Sequence, residues 1–192
     1  MECPPRRFFE FRDDISLYIS CRNIIVDHIK KIVNLINQLS HVRKSSSNSG
    51  SVAGSGSLRF SVINSKHESV SGAIRDEIHE IIRLLSESEA KLVNLLKVIS
   101  FSARSYCAVN SNSNEEVDKC SIIWPIDSDH LMSVVHKMQQ QTFLELSVVE
   151  EVTQAATKLV PIDQSKAISL LACFSYPPYI NSNELTSIIA LQ

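Results

Sequence analysis

Glycine is almost missing from this chain: four residues in 192, beside six prolines. Three of the four, Gly50, Gly54 and Gly56, crowd into one short stretch. The remainder therefore lacks the residue that tight turns and phosphate-cradling loops need. Neither GxGxxG nor a P-loop GxxxxGK pattern occurs, which excludes dinucleotide-binding and P-loop readings. Aromatics are few, at 6 %, and neither sign of charge dominates, with a formal net charge of -2. No field strong enough to gather nucleic acid follows from that balance, and no nucleic-acid partner is expected.

Cysteine is scarce and badly spaced for chemistry. The five thiols, Cys3, Cys21, Cys107, Cys120 and Cys173, are odd in number and include no CxxC pair. A disulfide framework or a zinc ribbon has no support in that spacing. The opening MECPPRRFFEF has no apolar run and no small-residue cleavage site, so a cytoplasmic or nuclear chain with reduced thiols is expected. Cys21 and Cys173 are expected to fill small gaps in a core. The longest apolar windows are broken by Lys, Asn and Asp, which excludes a membrane-spanning helix.

What the chain does contain is helix periodicity. From Ile25 the apolar steps run Ile29, Ile32, Ile36, Leu39, spacings of four, three, four and three. Phe8, Phe11, Ile15 and Tyr18 extend the stripe backwards, so the helix can begin near Pro5, a residue tolerated in a first turn. Ile24, Val26, Val33 and Leu35 widen the stripe beyond a two-stranded seam, which predicts more than one neighbouring helix. A second stripe runs Val70, Ile74, Ile78, Ile81, Leu85, Leu92, Leu95, Ile99, Tyr106. It keeps its phase across Ser86–Glu89, which predicts one long helix there. A third runs Leu131, Val134, Val135, Met138, Phe143, Leu144, Val148, Val149, Val152, blurring between 138 and 148, and Pro161 ends it. Asp127 or Ser128 is placed to cap this helix and Asp163 to cap the next.

The expected fold is all-α: an up-and-down bundle with three long helices, at about 8–43, 68–107 and 128–160, and one or two short C-terminal helices. No single stripe is stable alone, so residues 1–192 read as one domain. Two interruptions are expected, a disordered Ser/Gly-rich loop at 44–58 and a flexible loop near 108–121. The YPPY run at 176–179 reads as a rigid corner whose tyrosines pack on the helix ends.

Candidate chemistry is thin. Asp76-x-x-His79 and Asp127-x-x-His130 echo the carboxylate–histidine pairs of di-iron bundles. Asp76, however, lies about 200° round the helix from Ile74, on the wet face, and Asp127 sits at a cap. No GxSxG occurs. No enzyme activity, metal or cofactor is therefore expected.

The expected function is a non-enzymatic helical interaction module or complex subunit. It would dock at least one other protein, or a second copy, through apolar seams. Arg6, Arg7, Phe8, Phe11, Ile24, Val33 and Leu35 are the candidate contacts, because one bundle core need not consume so wide a stripe. The alternative is a peripheral membrane or lipid-binding module using Arg6, Arg7, Phe8, Phe9 and Arg12, although such anchors usually carry more basic charge. Ser45, Ser46 and Ser47 follow Arg43 and Lys44, a setting that basophilic kinases favour, and are candidate phosphorylation sites.

Overall fold

The computed structural model describes residues 5–48, 57–111 and 127–190. They form five helices: α1 (Pro5–Asn48), α2 (Ser57–Ser111), α3 (Ser128–Thr157), α4 (Gln164–Ser175) and α5 (Ser182–Ala190). Three are long and two are short, as the periodicity predicts.

Side-chain pairs fix the directions. Cys21 meets Ser88 and Lys31 meets Glu77, so α1 and α2 are antiparallel. Cys107 meets Ser128 and Gln139 meets Ser100, which runs α3 antiparallel to α2. Tyr18 meets Thr142 and Arg22 meets Glu145, so α1 and α3 are parallel. Lys166 meets Glu151 and Cys173 meets Gln141, which turns α4 back down α3. The topology is up-down-up-down, closed by α5 against α1 and α3.

α1 lies at the centre and touches all four other helices. This is why its stripe is wide. Phe11, Ile15, Tyr18, Ile25, Ile29, Ile32, Val33, Leu35, Ile36 and Leu39 are all buried. At 100° per residue they cover close to half of the helix surface. α2 contributes Ile78, Ile81, Leu85, Leu92, Ile99 and Ala103 to the same core. Val70, expected in that seam, is half-exposed, and Ser71 is buried instead.

α2 passes through Ser86–Glu89 without a break. The polar run is held locally: Arg83 pairs with Glu80 and Glu87, and the Ser88 hydroxyl donates to the Leu84 carbonyl at 2.9 Å. Cys21, fully inside, donates its thiol to the Ser88 carbonyl at 3.3 Å. Burial raises the Cys21 thiol pKa, against the opposing charge of Lys91. Cys173 is only half-buried.

The helices are longer than expected. α1 continues through Asn48 and α2 begins at Ser57, so the ends of the 44–58 stretch are helical. Adding a residue to an existing helix is far easier than nucleating one. Ser45 also satisfies a helical carbonyl, donating from its hydroxyl to His41 at 3.0 Å. Residues 49–56 lie outside the described residues. Likewise α2 runs to Ser111, and 112–126 lie outside the described residues.

Both aspartate caps form. Asp127 accepts from the His130 amide at 3.4 Å and Asp163 from the Lys166 amide at 2.8 Å. α3 stops at Thr157 rather than near 160 because Leu159 turns left-handed, with φ 53°. The amides of Leu159 and Val160 return to the carbonyls of Ala156 and Ala155, a Schellman ending that normally uses glycine.

Candidate functional site

The centre of the bundle is polar where α1, α3 and α4 meet. The middle of α3 reads MQQQTFLELSVV, and its inward positions are taken by Gln141, Thr142 and Glu145, at 0 %, 3 % and 0 % exposure. They follow Met138 at three, four and seven residues, the spacing of a core face. On α1 the matching positions are Tyr18 and Arg22, one turn apart.

Arg22 and Glu145 form a buried ion pair. The Arg22 Nε donates to both carboxylate oxygens, at 3.0 and 2.9 Å, and its Nη2 also donates to Oε1. Gln141 Nε2 donates to Glu145 Oε1 at 2.8 Å and to the Cys173 carbonyl at 2.8 Å. Arg22 Nη2 reaches the Phe174 carbonyl at 3.4 Å. Cys173 and Phe174 belong to the last turn of α4, whose carbonyls have no partner inside their own helix. α1 and α3 thus cap α4 from the side, and a cation sits at its negative end. Burial pulls the Arg22 pKa down, and the hydrogen bonds and charge of Glu145 overcome this, so the guanidinium is held charged.

Beside the pair, Thr142 donates its hydroxyl to the Met138 carbonyl at 2.8 Å. Its proton is therefore committed, and the Tyr18 hydroxyl must be the donor in the 2.7 Å contact between them. Burial pushes the Tyr18 phenol up to about 12, and the Glu145 charge adds to the rise. Gln141 Oε1 is buried and finds no partner among the described residues. Apart from that oxygen, the described polar atoms of the cluster satisfy one another or the α4 carbonyls. Its bonds join α1, α3 and α4 at one level of the bundle.

Sequence reasoning missed this cluster, although the blurred phase between 138 and 148 was its trace. The stripe expected there used Phe143 and Leu144. Phe143 is instead 77 % exposed and Leu144 half-buried, because the polar side chains occupy the core line.

The expected partner-binding residues divide. Phe11, Val33 and Leu35 are 6 %, 6 % and 7 % exposed, so their apolar area is used within the chain, around the central helix, and offers a partner nothing. Ile24 is 43 % exposed, with Leu17 two turns before it on the same face at 48 %. The side chains of Arg6, Arg7, Phe8 and Phe9 lie outside the described residues, as do those of Ser46 and Ser47. Ser45 is exposed on the last turns of α1. On α2, Val98 and Phe101 stand outward one turn apart, Phe101 at 73 %.

The YPPY corner connects α4 to α5, but its tyrosines do not pack on the helix ends. Tyr176 is 83 % exposed and Tyr179 is 44 % exposed. The anchors are the purely apolar neighbours Phe174 and Ile180, which leave no hydroxyl to satisfy. The corner borders an open depression of about 480 Å³ with Lys137 and Glu184. These two pair at 2.7 Å, and the lysine holds the Glu184 carboxyl below its usual range.

Asp76 and His79 are exposed on α2, and Asp127 is used as a cap. Among the described residues no group of three His, Cys, Asp or Glu could hold a metal ion, and no helix is long and apolar enough to cross a membrane.

One acidic contact destabilises the α2–α3 seam. Burial, and then the charge of Glu150, raises the Glu89 carboxyl above its usual range. The folded state therefore binds a proton more readily than the unfolded chain. That contribution is fully present below the unfolded pKa and is lost as pH rises through the folded pKa. Glu89→Gln is expected to stabilise the protein near neutral pH, by less than about 1 kcal/mol at this part-exposed site. The gain should vanish under acidic conditions. Urea midpoints of both proteins at the two pH values check this.

No protein-family model, curated protein or solved structure matches the chain.

Proposed function

We infer that this small all-α protein is a non-enzymatic interaction module that binds a helix of another protein along the outer face of α2. The observation carrying this reading is the exposed pair Val98 and Phe101, at 48 % and 73 %. Large apolar side chains one turn apart on a helix are what a helix partner grips, through its own anchors at i, i+3 or i+4 spacing. Lys97 and Arg104 lie one turn to either side of Phe101 and are exposed. A partner helix with acidic side chains flanking its apolar stripe fits this arrangement. The buried charges of the bundle support a structural role for them, since Arg22 and Glu145 satisfy each other.

The test is affinity capture from the native cell with the wild-type chain and with Phe101→Ser. A partner present at stoichiometric amount with the wild type and absent with the variant, at unchanged helix content, is the expected result. A partner retained equally by both removes α2 as the docking face.

A further inference from the structure

We propose that the α4–α5 segment is exchangeable between two copies of this chain, giving a domain-swapped dimer that forms as concentration rises. This goes beyond the partner reading and rests on three independent features.

The first is the hinge. Only residues 158–161 separate the end of α3 from Ile162, which is buried in the core at 4 % exposure. Within that hinge Leu159 sits at φ 53°, a left-handed conformation that costs any residue with a side chain. Pro161 follows and prevents α3 from simply running on as a helix into α4. Short hinges under strain favour exchange, because the extended form releases the strain. Lys158, Val160 and Pro161 are exposed, so the turn's hydrogen bonds pass to water on opening.

The second is the weight of the attachment. α4 buries only Ala167 and Phe174, with Ile168 on it 62 % exposed; Ile180, Leu185 and Ile188 beyond it are buried too, and a swapped dimer remakes every one of these contacts between copies. Two salt bridges, Lys166–Glu151 and Lys137–Glu184, add surface contacts of small individual strength.

The third is the seat left behind. Arg22 and Gln141 donate to the last carbonyls of α4, so an opened groove takes one acceptor from each and leaves them Glu145 alone. The same segment of a second copy satisfies them with identical geometry. This argues for self-exchange over an unrelated occupant.

The magnitudes allow it. A closed segment competes with a second copy at an effective concentration on the order of 1 mM. Each left-handed leucine released is about five- to thirtyfold in the equilibrium, and a swapped dimer releases two. The dimer is then expected to appear on the order of 1–50 µM.

The experiment is light-scattering detection of mass across a concentration series for wild type, Leu159→Gly and Leu159→Ala. Both variants lose the same leucine packing, and only glycine removes the left-handed cost. Leu159→Ala is expected to dimerise as the wild type does, and Leu159→Gly only at about 25-fold or more higher concentration. In parallel, isotope-labelled and unlabelled wild-type chains are refolded together and the dimer is treated with a carbodiimide. Exchange predicts a mixed-isotope peptide joining Glu151 of one chain to Lys166 of the other. Monomer at every concentration, equal dimerisation of the Gly and Ala variants, or only single-isotope Glu151–Lys166 links would each overturn the proposal.

Discussion

Arg22→Met is expected to destabilise the protein by about 3–5 kcal/mol, since it strips the partner from a carboxylate with essentially no access to water. For a chain of this size that corresponds to a fall in Tm of roughly 6–20 °C. Glu145→Leu should cost a similar amount, because it strands a guanidinium held between α1, α3 and the end of α4. The double variant Arg22→Met with Glu145→Leu should lie within about 1 kcal/mol of wild type, or above it, because desolvating two charges is expensive and well-packed apolar groups avoid that cost. Urea denaturation of the four proteins closes the cycle. A single-variant cost below about 1 kcal/mol would mean that the pair is reached by water.

The second large effect separates neighbours on α1. Ile25→Ala is expected to cost about 2–5 kcal/mol, because Ile25 is fully buried and the emptied space is walled by the other helices. Ile24→Ala should change stability by no more than about 0.5 kcal/mol, since nearly half of that side chain already meets water. Denaturation midpoints with unchanged slopes would give both values. Equal losses at the two positions would contradict the placement of α1 at the centre of the bundle.

The same pair illustrates what can be read from the residues alone. The four-three spacing from Ile25 to Leu39 identifies a buried line without ambiguity, because only one face of a helix repeats that way. All five of those side chains are buried. The added width was also visible, but not its use. Val33 and Leu35 widen the stripe toward neighbouring helices, whereas Ile24, chemically alike, faces out. Periodicity gives an angle on one helix, and the number of neighbours decides how wide an arc is covered.

The polar cluster was hidden for a related reason. A search for apolar periodicity assigns Phe143 to the core and Gln141, Thr142 and Glu145 to the surface. The structure reverses this, since Arg22 and the α4 carbonyls, distant in sequence, supply partners that make burial tolerable. The helix ends were misread through composition. Serine lowers helix propensity by roughly half a kcal/mol, which is too little to stop a helix already extended through Arg43 and Lys44.

The proposed docking of a partner's helix on the outer face of α2 is tested most directly by affinity capture with three versions of the chain. Wild type, Phe101→Ser, and Phe143→Ser as a control on α3 are compared at matched helix content, and the partner bound to each is quantified. Loss confined to Phe101→Ser is the predicted result. A partner that survives Phe101→Ser, or that is lost to the same degree with Phe143→Ser, would contradict it.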